Sequence, residues 1–575
     1  MNGIARARKR LCLEWTAVAL GATALCLSVL SFAVPAARSV SAAFAAPAGT
    51  IAPVGDSVGN SVGNSVGDSA AMLLRILASL KFTVSQALLS SALAVAIGLP
   101  AGFFVARREF PGRRALLAAS GVPLCVPPMI VTLAFVLFYG RQGTLNSFLM
   151  GAFGLKNPPI TFLYSFAGIV IAHGFYNFPV VLRTVSQVWE RLPREEEEAA
   201  TLLGAGPFRV FRTVTLPRLS GAILSSAVLV FLYCFFSFII VMTFGGIGGT
   251  SLEVELYRAA RSSLDFRMAG AIAIAETVPA LLIVVLYSRL GRRLSADTEG
   301  TRPPRPRLAP HGFTERLALA GYLAFILAFF AGPLLSILVR SFVVPSGAFT
   351  SIRGHSLGLG QWMLLLSRSN FAPAVVNTVR VAVPVALIST LAAVAYALAE
   401  DAFRDAFPRE RSPLALRVAP LAPLAVSSVA LGFGWGLLAP RGNAFFLVLA
   451  QSAMAWPFAW TQVRSSLDRI PQSVRDAASL ASSSRLDAAF RVRLPLASRG
   501  IVSAAAFSFA ISAGDASLPL VLSMGKFENL PLLLFRLAGS YRFSEACACT
   551  VVLALICGVV FFAMDSGGKA EGEHV

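Results

Sequence analysis

Runs of about twenty apolar residues recur along the whole chain, and they restrict its fold more than any other feature does. A helix of that length spans the hydrocarbon core of a bilayer. Hydrophobic residues make up 56% of the sequence and charged residues 14%, which is too little charge for the surface of a soluble globular protein. The alternation typical of barrel strands is absent from the sequence. Because backbone polar groups in lipid must bond to one another, we predict an all-α polytopic membrane protein.

Twelve apolar segments are found, six on each side of a basic, proline-rich linker at residues 291–313. They lie at 13–35, 82–106, 115–139, 160–185, 219–244, 268–289, 315–339, 372–399, 414–439, 442–464, 497–523 and 545–564. This predicts about twelve transmembrane helices in two tandem six-helix halves, residues 1–290 and 314–575. The first segment follows the basic residues 6–10 and also resembles a secretory signal peptide. Counting it as a retained helix makes the topology consistent.

Positive charge predicts the orientation of these helices. The formal net charge is +20, and arginine is concentrated in short loops at 6–10, 107–114, 289–307 and 404–411. Such loops face the cytoplasm, so we predict a multi-pass membrane protein with both termini cytoplasmic. The charge is then explained by topology and lipid, with no nucleic acid as partner. Residues 54–69 repeat Val-Gly-Asp/Asn-Ser and are predicted to form a flexible periplasmic loop.

The two halves are related by one constant offset in the sequence: adding 278 to a residue number in the first half gives its partner in the second. The offset pairs Pro179 with Pro457, Pro193 with Pro471, Leu216-Pro217 with Leu494-Pro495, Leu252 with Leu530 and Arg258 with Arg536. Both copies start on the same side of the membrane after an even number of spans. They are therefore predicted to form a parallel repeat with a pseudo-twofold axis along the membrane normal.

Two polar stretches interrupt the apolar pattern at the same register, in the loops at 186–218 and 465–496. In the first, Pro193 and the acidic residues 195–198 favour the start of a helix. Gly204 allows a sharp turn, and Leu216-Pro217 starts the next apolar helix. We predict a short helix, a turn and a second helix on the cytoplasmic side. A simple amphipathic loop at the lipid interface would not explain the recurrence at a fixed register.

This pattern resembles the Glu-Ala-Ala loop of ATP-binding-cassette importer permeases. The first copy carries Glu198, Ala199, Ala200, Gly204, Ala205, Leu216 and Pro217, and the second carries Asp476, Ala477, Ala478, Ser482, Leu494 and Pro495. The second copy departs in its aspartate and in Ser482, where the family has glutamate and glycine. The resemblance implies the type I importer permease fold, with each loop docking as a coupling helix on one of two ATPase copies. It also implies a location in a bacterial inner membrane and a periplasmic substrate-binding protein as partner.

The chain carries no residues for ATP hydrolysis of its own. The phosphate-loop pattern Gly-x4-Gly-Lys-Ser/Thr is absent, since Gly525-Lys526 is followed by Phe527 and lacks the upstream glycine. No triad of catalytic residues and no metal-ligand spacing is recognised in the sequence, which has four histidines. We therefore predict a translocation subunit without a cofactor or metal, not an enzyme.

Ionisable residues inside apolar segments are costly and are typical of transport pathways. His173, Glu276 and Asp515 are of this type. For each, the alternative is a structural hydrogen bond to a neighbouring helix. Trp456 is a candidate aromatic contact for a cationic ligand, or else an anchor at the membrane interface, and Tyr541 is a candidate in an outer loop.

The runs Gly514-Asp515 and Gly539-Ser540-Tyr541-Arg542 resemble the second half of thiamine permeases. This implies thiamine or its phosphates as the substrate. Fused permeases for ferric iron are also similar, so import of ferric iron or a polyamine is the alternative within the class. An ion-coupled secondary transporter also shows repeats and buried carboxylates, but it does not need two cytoplasmic loops of this pattern. A membrane-embedded enzyme would need a catalytic group that the sequence does not show.

Overall fold

The computed structural model describes most of the chain. The described residues are 21, 23, 25–26, 30–44, 58–113, 116–117, 127–245, 249–297, 307–310, 312–344, 356–406, 418–439, 442–522, 525 and 527–570. In this part of the chain the regular structure is almost entirely helical, with one antiparallel pair of two-residue strands, Val343–Val344 and Ser356–Leu357. The predicted segment 13–35 lies largely outside the described residues.

Among the described residues, eight helices are long and apolar enough to cross a membrane. The count rises to ten if each of two bent pairs is one span. The bent pairs are Ala419–Ala425 with Ser428–Leu438, at 91°, and Leu486–Leu496 with Ser498–Gly514, at 72°. The prediction of an all-α polytopic membrane protein is confirmed, and the number twelve stays a prediction.

The chain divides into two compact units, which we call the N unit and the C unit. The N unit consists of Ala48–Glu255 and Leu282–Gln361, and the C unit of Met1–Pro47, Leu256–Leu281 and Trp362–Val575. The helix at 30–42 comes from the first sequence half but belongs to the C unit. The helix Gly312–Ile326, which starts the second half, belongs to the N unit. The predicted halves, which rest on the sequence offset, stay a prediction.

The first part of the chain forms helices that we number in chain order. They are α1 (30–42), α2 (Val58–Arg107), α3 (Pro128–Tyr139), α4 (Thr144–Phe153), α5 (Phe166–Trp189), α6 (Arg194–Leu202), α7 (Pro207–Val210), α8 (Leu216–Phe235), α9 (Ile239–Phe244), α10 (Leu252–Tyr257), α11 (Phe266–Asp297), α12 (Gly312–Ile326) and α13 (Gly332–Ser341). Short 3-10 and π turns lie at Phe162–Tyr164, Phe211–Thr215, Arg258–Ser262 and Leu327–Ala331.

The remaining helices follow the strands. They are α14 (Gly360–Leu366), α15 (Phe371–Ala406), α16 (Ser428–Leu438), α17 (Ala444–Asp468), α18 (Gln472–Ala481), α19 (Arg485–Ala488), α20 (Leu494–Leu496), α21 (Ser498–Gly514), α22 (Ser517–Leu522), α23 (Leu530–Gly539) and α24 (Phe543–Ala570). A 3-10 helix spans Ala419–Ala425 and a π turn spans Ala489–Arg493.

Two predicted connecting segments are partly helical. Residues 58–69, predicted to be a flexible loop, form the start of α2. Extending an existing helix avoids the nucleation step, so these residues can continue α2 despite their glycine content. The start of the predicted linker at 291–313 is also helical, because α11 continues through Asp297. Residues 54–57 and 298–306 lie outside the described residues.

The core of the N unit is the packing of α2, α5 and α8 against one another. Small residues let helix backbones approach closely in a membrane. A Cβ atom added to Gly98 on α2 would lie 2.6 Å from the Cβ of Val181 on α5. From α12, Tyr322 donates a hydrogen bond of 2.5 Å to the carbonyl oxygen of Ile97, which binds α12 to the same unit.

Replacing Gly98 with valine is expected to separate α2 from α5. Overpacking of this kind destabilises a fold by about 1–3 kcal/mol, so the apparent melting temperature of the detergent-solubilised protein should fall. Fluorescence-detected size exclusion after heating measures it. The matched control is Gly321→Val on α12, where a new Cβ meets open space. Equal melting temperatures for the two variants would contradict the close approach at Gly98.

The C unit has a comparable core of α15, α17 and α21, which pack against one another. Ala393 on α15 and Ala459 on α17 belong to one fully buried cluster with Trp456. Helix α1 also belongs to this unit. The hydroxyl of Ser39 donates a 2.8 Å hydrogen bond to the carbonyl oxygen of Ala430, and the indole of Trp435 donates one of 3.2 Å to the carbonyl oxygen of Ser31.

The sequence offset reappears as a pair of matching hydrogen bonds, one in each unit. In the N unit, the backbone N–H of Leu252 donates to the hydroxyl of Thr83 on α2, at 3.0 Å. In the C unit, the backbone N–H of Leu530 donates to the hydroxyl of Thr378 on α15, at 2.9 Å. Because the offset relates the two leucines, Thr83 and Thr378 are equivalent positions on α2 and α15.

Candidate functional site

The first polar loop contains the predicted short helix, turn and second helix. Helix α6 begins after Pro193 with three glutamates in its first turn. It ends in a Schellman motif: the N–H of Gly204 donates to Thr201, at 2.9 Å, and the N–H of Ala205 donates to Ala200, at 3.0 Å. Gly204 has a φ of +83°, which side chains disfavour. Three motif residues therefore share one task, to end α6 sharply.

The second polar loop makes the same turn by a different backbone route. Ser482, after α18, is extended, with φ −102° and ψ 149°. The next helix, α19, is capped by two side chains: the N–H of Asp487 donates to the hydroxyl of Ser484, at 3.1 Å, and the N–H of Ser483 donates to the carboxylate of Asp487, at 3.0 Å. Serine replaces glycine at position 482 because no left-handed residue is needed there.

The remaining motif residues occupy matching environments in the two loops. Glu198 and Ala199 are exposed, as are Asp476 and Ala477, whereas Ala478 is buried. Leu216-Pro217 and Leu494-Pro495 each follow a five-residue π turn, at Phe211–Thr215 and Ala489–Arg493. Proline has no N–H and its ring crowds the carbonyl four residues earlier; the wider π turn accommodates both effects.

Each loop presents exposed leucine at its tip. Leu202 is 88% exposed and its offset partner Leu480 is 87% exposed, and Leu203 beside the first is 89% exposed. Exposed apolar side chains that lie together beside charged residues are typical of protein interaction sites. The geometry of the loops therefore suits them to bind a partner protein.

Replacing Gly204 with serine is expected to loosen the end of α6. The left-handed conformation is disfavoured for a non-glycine residue by about 1–2 kcal/mol, although the side chain itself would meet open space. Uptake by the assembled transporter should therefore fall, with membrane insertion unchanged. The control is Gly206→Ser, because Gly206 has φ −67° at the N-cap of α7, a position that favours serine. Equal uptake by both variants would contradict this role of Gly204.

A second feature of the molecule is a buried polar pair in each unit, beside a broken helix. In the N unit, α8 and α9 are separated by residues 236–238, and the hydroxyl of Ser237 lies 2.7 Å from Nε2 of His173 on α5. In the C unit, α21 and α22 are separated by Asp515 and Ala516. There the side-chain amide of Gln451 on α17 donates to Oδ2 of Asp515, at 3.0 Å.

These two pairs are equivalent under the sequence offset, which relates His173 to Gln451 and Ser237 to Asp515. The C-unit pair is extended by Ser512, whose hydroxyl donates to Oε1 of Gln451, at 2.6 Å. Helices that break inside the membrane and hold polar side chains at the break form substrate and ion sites in transporters. The arrangement can therefore hold a polar or charged solute.

Sequence reasoning found one member of each pair and missed its partner. Ser237, Gln451 and Ser512 are neutral, so the pattern of ionisable residues within apolar segments does not identify them. The signal that finds two of them was present: adding 278 to His173 gives Gln451, and subtracting 278 from Asp515 gives Ser237.

The other three candidate pathway residues have different surroundings. Glu276 is fully buried and accepts a hydrogen bond of 2.6 Å from the hydroxyl of Ser427. Trp456 is 1% exposed in the core of the C unit, edge-on to Tyr396 at 5.9 Å between ring centroids. Tyr541 is 83% exposed, with a left-handed φ of +59°. Of the five candidates, Asp515 is thus hydrogen-bonded to Gln451, Trp456 is buried in the core, and Tyr541 is exposed at the surface.

Comparison with known proteins gives matches along most of the chain. Residues 98–299 match the family described as binding-protein-dependent transport system inner membrane component. A thiamine transport system permease protein of Brucella abortus (strain 2308) is 27% identical over 504 residues, 86% of this chain and 88% of that protein. That of Escherichia coli (strain K12) is 26% identical over 514 residues, 86% and 89%. A putative 2-aminoethylphosphonate transport system permease protein of Salmonella typhi is 30% identical over 228 residues, 40% and 77%.

Proposed function

We propose, from the fact that the chain belongs to the family of binding-protein-dependent transport system inner membrane components, that it is the permease of an importer for thiamine or thiamine phosphates. The observation that carries the choice of substrate is the similarity to thiamine transport permeases over 86% of the chain, a share large enough to extend across both sequence halves.

The two polar loops are proposed to be the coupling loops, each bound to one copy of a separate ATPase in the cytoplasm. Three observations support this: the loops share one register, they present exposed leucine at Leu202 and Leu480, and they keep Glu198 and Asp476 exposed. In the mechanism that the family implies, closure of the ATPases on ATP moves the loops and turns the membrane helices from inward-facing to outward-facing. Both termini are then cytoplasmic, and a binding protein delivers the substrate from the periplasm.

Asp515 is proposed to receive the positive charge of the substrate within the membrane. Thiamine carries a permanent cation on an aromatic ring, and a carboxylate beside a helix break is a suitable counter-charge. Its Oδ2 faces Gln451 while its Oδ1 accepts the N–H of Ser517, at 2.9 Å. His173 is proposed to line the pathway in the N unit. The core position of Trp456 favours packing, and Glu276 and Tyr541 stay predictions.

The substrate is tested by identifying what the system's binding protein carries. This chain is co-purified with its ATPase and binding protein, and the ligand of the binding protein is extracted and identified by mass spectrometry. Thiamine or a phosphate ester is the expected result. Iron, a polyamine or 2-aminoethylphosphonate would reject thiamine while keeping the importer. Absence of both partner proteins would reject the importer itself.

A further inference from the structure

An ion pair fastens the first coupling loop to the end of α2. Arg107, the last residue of α2, pairs with Glu197 on α6, and the two side chains are 18% and 19% exposed. The hydroxyl of Thr215 donates a hydrogen bond to the same glutamate oxygen, at 2.9 Å. Glu197 therefore joins three elements: the end of α2, the first short helix of the loop, and the residue before Leu216-Pro217.

The second coupling loop is fastened to α15 by an ion pair of opposite polarity. Asp401 on α15, with a side chain 9% exposed, pairs with Arg493. It also binds Nη1 of Arg464 on α17, at 2.6 Å. Arg493 is the offset equivalent of Thr215, since it is the residue before Leu494-Pro495. Asp401 therefore joins α15, α17 and the end of the second loop.

Arg107 on α2 and Asp401 on α15 lie at corresponding positions along their helices. The stretch of α2 from Thr83 to Arg107 and the stretch of α15 from Thr378 to Asp401 start at equivalent threonines and differ in length by a single residue. The helix end carries the cation in the N unit and the anion in the C unit, and each loop carries the opposite charge. The same mechanical connection is thus made twice with different residues.

These ion pairs differ from ordinary surface pairs in their burial. Exposed pairs contribute little to stability, whereas removal of one partner from a buried pair leaves an uncompensated charge and is strongly destabilising. The side chains of both fastening pairs are less than a fifth exposed. By contrast, Arg218 and Glu196, which pair in the same first loop, are 50% and 37% exposed.

We propose that Arg107–Glu197 and Asp401–Arg493 are two latches that pass the movement of each coupling loop to the long membrane helix of its unit. The proposal rests on the proposed function, since the loops must be moved by an ATPase. The four residues are assigned as positioning residues, because each acts through the loop or the helix that it holds. Leu202 and Leu480 belong to neither latch, so we expect docking to persist in the latch variants. A loop without its latch would move while its helix stays in place.

The test is charge reversal in the first latch, with uptake and ATP hydrolysis measured together. Arg107→Glu, Glu197→Arg and the double variant are reconstituted in liposomes with the ATPase and the binding protein. Each single variant is expected to lower the amount imported per ATP by about tenfold or more, with hydrolysis retained, and the double variant should recover most of the loss. The second latch is tested with Arg493→Gln alone, because Asp401 also holds Arg464.

The control is Arg218→Glu, which reverses a charge in the exposed pair of the same loop and should leave the import ratio unchanged. A double variant no better than the worse single variant would overturn the proposal, as would an equal effect of Arg218→Glu. If the single reversals do not assemble, Arg107→Gln and Glu197→Gln take their place, and an unchanged ratio in these variants also overturns it. If none of these variants assembles, the pair serves folding and the proposal is rejected. A wild-type complex that neither hydrolyses ATP nor imports rejects the proposed function instead.

Discussion

The double variant Leu202→Asp, Leu480→Asp is expected to lose ATP-dependent uptake entirely. Burying one exposed leucine at an interface contributes about 1.5–3 kcal/mol, and an aspartate in its place must also be desolvated. Changing both loops removes both docking contacts, so the ATPase should no longer co-purify with the chain. Affinity purification and uptake measured on the same preparation test this result.

The control for docking is the same substitution at Leu155, a leucine that is 42% exposed. It lies between the apolar segments 115–139 and 160–185, one span away from the Arg-rich loop at 107–114 and therefore on the predicted periplasmic side. Leu155→Asp should keep both the ATPase and uptake. The single variants Leu202→Asp and Leu480→Asp separate the contributions of the two loops. Normal uptake by the double variant would show that the loops do not dock on the ATPase.

The variant Asp515→Asn is expected to show the second-largest effect, a loss of substrate import with an intact complex. Asparagine keeps an oxygen that can accept the N–H of Ser517, so the start of α22 should remain capped while the charge is lost. A hydrogen bond to a charged group contributes about 1.5–3 kcal/mol, which corresponds to a loss of about 10- to 150-fold in uptake at low substrate concentration.

Two further variants separate charge from structure at this position. Asp515→Ala removes both the charge and the cap, and Ser237→Ala removes the equivalent polar group in the N unit without changing any charge. If Asp515→Asn imports normally and only Asp515→Ala is impaired, the aspartate is a helix cap and does not contact the substrate. Measured melting temperatures decide whether a low uptake reflects lost folding.

Much of the architecture follows from the sequence because apolar length and repeat register are direct physical signals. The apolar segments predict the spans, and the offset places Pro179 and Pro457 within α5 and α17, as the structure shows. The backbone of the loops is less accessible. Gly204 requires a positive φ, whereas Ser482 does not, because side chains cap α19 after the second turn. The sequence does not show which of these two turn geometries each loop adopts.

Spatial grouping was not predictable from the pattern. Nothing in the residues of α12 or α1 shows which unit each belongs to, because lipid-compatible helices pack through shape rather than through a hydrophobic driving force. The contact of Tyr322 with Ile97 and that of Ser39 with Ala430 appear only in three dimensions. The same applies to the latches, since Arg107 and Glu197 are 90 residues apart.

The central claim is that this chain moves thiamine across a membrane at the expense of ATP hydrolysed by another subunit. The most direct test is uptake of labelled thiamine into liposomes that contain this chain and its ATPase, with ATP inside and the binding protein outside. We predict accumulation that requires ATP, the ATPase and the binding protein together. Accumulation driven by an ion gradient in the absence of the ATPase would contradict the account and identify a secondary transporter.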